Sequence, residues 1–145
     1  MPLPSPVMRV SELDDFLRAA FPMGDSEMMS RVEAVETGYL RVRQPYSEGQ
    51  LRPGGTISGP VQMGLADTTM YLLTVAHIGP EPMAVTSSLV MNFLNRAEPK
   101  PLIAEGRLLK LGRSLAVGDI QIRAEGVEKL CAQATVTYSL VRTGK

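Results

Sequence analysis

Between Arg52 and His77 the chain carries a single charged side chain, Asp67. Its neighbours at helical spacing are Met63, Gly64, Met70 and Tyr71, so the carboxylate stands on a predominantly apolar face. A carboxylate in such surroundings is unfavourable unless it is partnered or used. Its simplest uses are to take a proton from water or to attack an electrophile. The plainer alternatives are a bond to a neighbouring loop, or a narrow solvent stripe shared with Gln62 and Thr74.

Gly59 opens the same segment. An amide N–H with no side chain beside it can approach a carbonyl oxygen closely, and the helix dipole favours negative charge there. A tight turn that needs glycine would explain the residue as well. Thr86 lies early in the next extended stretch, on a face expected to hold Ser88, Val90 and Asn92, where a hydroxyl could orient a water beside Asp67. Threonine is also common in strands for its shape alone. Lys110-Leu-Gly-Arg113 reads as a turn between two strands, with Arg96 near another turn. Basic side chains at such tips suit the phosphates of a long cofactor, or they are ordinary solvated residues. His77 sits in the last helical turn, where a histidine serves the helix terminus, and Cys131 has no cationic neighbour to activate it. The nine methionines, Met63, Met70 and Met91 among them, are mostly core filler, and some could line an adaptable acyl pocket.

The elements that must position these residues follow from local pattern. Residues 1–10, with three prolines in the first six, read as a flexible arm. Ser11-Glu-Leu-Asp14 has the form of a capping box before an amphipathic helix over 11–21, with Leu13, Phe16, Leu17, Ala20 and Phe21 on one face. Residues 32–43 suggest a hairpin about Thr37-Gly38, and Pro45 to Gly55 a loop. From Ser58, a good N-cap, through Pro60 to a stop at Gly79-Pro80 runs a helix apolar or small nearly all round, which predicts enclosure by the protein. After Pro82 come four strand-length stretches, 83–94, 102–110, 114–124 and 130–140, joined by links too short for parallel crossovers. The last alternates cleanly, Leu130, Ala132, Ala134, Val136, Tyr138 and Leu140 against Cys131, Gln133, Thr135, Thr137 and Ser139. The expected fold is α+β, a long central helix on a curved antiparallel sheet.

A chain of 145 residues suits one domain. Fifteen basic and fifteen acidic residues cancel with no run of like charge, so nucleic acid is not an expected partner. No stretch approaches the ~20 apolar residues that span a bilayer. The start of the chain is too short and proline-rich for a signal peptide, and one cysteine suits a reducing compartment. The cytoplasm is therefore the expected location.

Taken together, Gly59, Leu65-Ala-Asp67-Thr, Ala84-Val-Thr86, Asn92-Phe-Leu and Lys110-Leu-Gly-Arg-Ser-Leu-Ala116 resemble the hotdog-fold acyl-CoA thioesterases, most closely the phenylacetate-catabolism type, over roughly residues 30–141. The resemblance implies five or six strands wrapped around the helix. It implies homodimers with continuous sheets, often paired into tetramers. It also implies hydrolysis of an acyl-CoA thioester, with no cofactor beyond the coenzyme A of the substrate. Asp67 then matches the catalytic carboxylate, Gly59 the amide that polarises the carbonyl, and Thr86 the hydroxyl that helps place water. The expected substrate contacts are Ser58, Met63, Met70, Asn92, Arg96, Lys110 and Arg113. Two departures are Ser58, where the family usually has His, and Arg52, where many relatives have Asn. These departures favour the alternative of a non-catalytic module that binds acyl-CoA or an aromatic acid.

Overall fold

In chain order the protein forms α1 (Val10–Ala20), β1 (Arg31–Glu36), β2 (Tyr39–Gln44), a single 3-10 turn (Glu48–Gln50), α2 (Gly59–Ile78), β3 (Val85–Phe93), β4 (Leu102–Leu111), β5 (Leu115–Ala124) and β6 (Ala132–Ser139). This computed structural model describes residues 2–22, 29–81 and 83–140. Met1 of the expected arm, Pro82, residues 23–28 and residues 141–145 lie outside the described residues. The strands make one antiparallel sheet in the order β1-β2-β4-β5-β6-β3, with β1 and β3 at its edges. All four strands expected after Pro82 are present, and the hairpin turns at Thr37-Gly38, where Gly38 supplies a φ of 68°.

The ends of α2 are chemical. The Ser58 hydroxyl accepts from the Val61 N–H at 3.4 Å, Pro60 occupies the first turn, and Gly79 leaves the helix at φ 92°. Pro80 has no N–H, so the carbonyl of Ala76 loses its helical donor. The N–H groups of Val7 and Met8 supply it instead, at 2.7 and 3.3 Å. The proline-rich stretch expected to be a free arm thus forms no regular element, yet it is tied to α2, with Met8 buried.

The cap of α1 differs from expectation. Its N-cap is Arg9, whose N–H donates to the Glu12 carboxylate at 2.9 Å, and not Ser11. Asp14 cannot close a box because its own carboxylate is engaged by the Val32 N–H of β1 at 2.8 Å. Leu13 and Leu17 bury the inner face of α1, each contributing roughly 1.5–3 kcal/mol by removal from water.

One side of α2 packs on the sheet through Leu65, Ala66, Met70, Leu73 and their neighbours. Two strand glycines make room for it. A Cβ at Gly106 would lie 2.9 Å from Ile120 Cδ1 and 3.2 Å from Leu73 Cδ2, and one at Gly118 would overlap the Met70 sulfur. Thr69 and Thr74 are fully buried and return their hydroxyls to the carbonyls four residues back. The helix is not enclosed all round, however. Pro60, Met63 and Gly64 are exposed, and a Cβ at Gly64 would meet nothing within 4 Å. No helix among the described residues is long and apolar enough to cross a membrane.

His77 is buried and structural, although its partner is not the helix end alone. Its Nδ1 donates to the Leu73 carbonyl at 2.9 Å, and its Nε2 accepts from the Gly38 N–H at 2.9 Å. The imidazole thereby locks the β1–β2 turn onto α2. His77→Ala leaves the Gly38 donor buried without an acceptor, so a stability loss of about 1–3 kcal/mol is expected. Chemical denaturation measures it, and an unchanged midpoint rejects this role.

Candidate functional site

Asp67 lies midway along α2 and is half-buried, on the margin between the packed and the open sides of the helix. Its Oδ1 accepts from the Thr86 hydroxyl at 2.5 Å and from the Tyr138 hydroxyl at 2.9 Å. The Tyr138 hydroxyl also reaches the main-chain oxygen of Asp67 at 3.2 Å. Neither alternative considered for Asp67, a loop partner or a solvent stripe with Gln62 and Thr74, describes this arrangement, because both of those residues are buried. Its partners come from two paired strands.

Thr86 reaches Asp67 because β3 is bulged. Thr86 pairs with Tyr138, but Ser88 pairs with Thr137, so Ser87 is the extra residue. From Ser88 onward the alternation is shifted by one. Thr86 therefore shares the inner face with Leu89, Met91 and Phe93, and not with Ser88, Val90 and Asn92 as the regular pattern suggests. Asn92 points to the outer face, where its amide donates to Gln133 at 3.0 Å, so the structure does not bring it to Asp67.

Tyr138 was not anticipated as a site residue. The available signal was a tyrosine on the apolar face of β6, since a buried phenol hydroxyl must find a partner. Burial pushes its pKa well above the ordinary tyrosine range, and the adjacent Asp67 charge adds to that. The phenol therefore stays protonated and remains a donor. Its ring stacks on Tyr71, with centroids 5.9 Å apart and planes at 22°, and Phe16 of α1 leans on Tyr71 at 5.7 Å. A groove of about 450 Å³ opens beside these residues, lined by Thr86, Tyr138, Tyr71, Ala84, Val85, Phe21 and Ala20.

The remaining candidates are dispersed. Gly59 forms the first residue of α2, where N–H groups lack intrahelical acceptors, and the Phe93 ring lies over it, 3.2 Å from the place of a Cβ. Ser58 is engaged as the cap. Met63 is 40% exposed on the open helix side, so it is available to a ligand, whereas Met70 is fully buried against Gly118 and belongs to the core. Arg96 follows β3 at the Gly59 end of the molecule, next to Ala97, whose carbonyl binds the Ile57 N–H. Lys110 and Arg113 flank the β4–β5 turn at the other end, where Leu111, Ala116, Tyr138 and Thr86 form one row across the sheet. Cys131 is buried, and burial pushes its thiol up to about 11, leaving it unreactive at neutral pH.

A central helix packed on a curved six-stranded antiparallel sheet defines the class as the hotdog fold. Within that class, the model of the Thioesterase superfamily matches residues 54–131, and the chain belongs to that superfamily. The crystal structure of a protein of Silicibacter sp. TM1040 assigned as a thioesterase is 39% identical, with a TM-score of 0.86 over 94% of each chain. A protein of Saccharolobus solfataricus assigned as an esterase is 32% identical over 114 residues, which is 78% of this chain and 79% of its own. A structure from Ralstonia eutropha JMP134, described as a phenylacetic acid degradation-related protein, shares the fold at 23% identity, with a TM-score of 0.73 over 86% of this chain and 98% of its own.

Proposed function

We propose that this protein hydrolyses an acyl-CoA thioester to the free acid and coenzyme A at a site shared between two subunits. The observation that carries the reading is the Asp67 carboxylate, held through Oδ1 by two hydroxyls. Its other oxygen is left to take a proton from water. The water oxygen attacks the thioester carbonyl carbon while its proton passes to Asp67. An N–H at the start of α2, that of Gly59, stabilises the resulting oxyanion. Collapse then breaks the carbon–sulfur bond, and the proton returns to the leaving sulfur.

Two open surfaces support the shared site. The edge strand β3 exposes Val85, Val90 and Phe93, each more than half accessible, together with an unpaired backbone edge. Beside it lies the open side of α2 at Pro60, Met63 and Gly64, where a second helix could approach closely. Two-fold pairing across β3 would cover both surfaces at once. Lys110 and Arg113, and Arg96 at the other end of the molecule, are the basic residues assigned to the CoA phosphates.

Ser58 is occupied as a helix cap, and Arg52 stands where many relatives carry Asn, which favours a second reading as a binder without turnover. A panel of acyl-CoAs assayed for released thiol separates the two. Steady thiol release with at least one acyl group is expected. Saturable acyl-CoA binding with no release across the panel would establish the binding module instead.

A further inference from the structure

We propose that Tyr138 is the positioning residue of the site: its hydroxyl locks the Asp67 carboxylate in one orientation and leaves Oδ2 as the oxygen that receives the proton of the attacking water. The inference deepens the hydrolytic reading and rests on it. Both donors, Thr86 and Tyr138, converge on Oδ1, and among the described residues no donor reaches Oδ2. The two oxygens are therefore unequal before any substrate arrives. The single proton of the Tyr138 hydroxyl lies between Oδ1 at 2.9 Å and the main-chain oxygen of the same residue at 3.2 Å, a three-centre bond whose shorter arm holds the carboxylate.

The two donors are not equivalent. Thr86 stands at the start of β3, one residue from a bulge, and is exposed in the single subunit, on the edge that the proposed dimer would cover. Tyr138 is 4% exposed on β6, which is paired on both sides by β5 and β3, and its ring is stacked on Tyr71. A rigid, buried donor gives the tighter orientation of a reacting group. The stack does not depend on the hydroxyl, so Tyr138→Phe removes the hold and keeps the packing.

Tyr138→Phe is expected to lower kcat about tenfold or more, the scale of one lost hydrogen bond to a charged group, with KM changed less than about twofold. In an Asp67→Asn background the same change should lower the residual rate by less than about twofold, because the side chain still held there can no longer act as a base. A second measurement needs no activity. With tyrosine labelled by carbon-13 at Cζ, the chain shows four tyrosine signals, and the one missing from Tyr138→Phe identifies residue 138. Asp67→Ala, which removes the acceptor, should move that signal while those of Tyr39 and Tyr46 stay in place. Wild-type kcat in Tyr138→Phe, a loss confined to KM, or a Tyr138 signal indifferent to Asp67→Ala overturns the proposal. A protein inactive on every thioester would sink the hydrolytic reading alone. The carbon-13 signal would still decide for or against the hold on Asp67.

Discussion

Asp67→Asn is expected to lower turnover of the best thioester by ~10²-fold or more, the scale of a lost general base, while the fold and KM are kept. The geometry makes this a clean substitution. Oδ1 of Asp67 accepts from Thr86 and Tyr138, so an asparagine would place its amide oxygen there to keep both bonds. Its NH₂ group then occupies the place of Oδ2, where it can donate but cannot accept a proton. Shape and partners survive, and the chemistry does not. Steady-state kinetics on the purified variant, with its denaturation midpoint as control, measures the effect. Undiminished turnover in a folded variant would show that another group activates the water.

The second large effect concerns the proposed shared site. Gly59 and Asp67 lie on the same helix, eight residues apart, which at 1.5 Å per residue separates them by ~12 Å. An oxyanion donor and a base must both lie within a few ångströms of one carbonyl, so a single α2 cannot supply both. Antiparallel α2 helices in the proposed two-fold dimer would set Gly59 of one subunit opposite Asp67 of the other. Asp67→Ala and Gly59→Val should each be inactive. The valine would push into the Phe93 ring, whose Cζ and Cε1 lie 3.2 and 3.5 Å from the Cβ position, and would obstruct the amide.

Mixing the two inactive chains gives mixed dimers with one intact site of two. Random association makes about half of all dimers mixed, so about a quarter of wild-type activity should return. Co-refolding followed by the thiol assay tests this. Mixed dimers that form and remain as dead as their parents would refute the shared site, as would an active monomer.

What the sequence determines here is whatever a few neighbouring residues decide together. Ser58, Pro60 and Gly79 bound α2 because caps, missing N–H groups and positive φ act within a turn or two. The alternation of Ala132, Ala134, Val136 and Tyr138 against Gln133, Thr135 and Thr137 assigns the two faces of β6 because side chains along a strand alternate by geometry alone. Asp67 is conspicuous for the same local reason, as the one charged residue on an apolar helix.

Tertiary structure decided how these pieces meet. The inward turn of Thr86 depends on a single unpaired residue, Ser87, and strand register is set by the neighbouring strand as much as by the strand itself. Tyr138 meets Asp67 across 71 residues of chain, and His77 meets Gly38 across 39, so no local pattern encodes either bond. Asp14, which looks like a capping residue in isolation, is claimed by the Val32 N–H, a donor that exists at that place only once β1 has packed. The open side of α2 at Met63 and Gly64 was hidden for a related reason. An apolar surface reads the same in sequence whether its own sheet covers it or a second subunit must, because burial depends on what packs there and not on the residues alone.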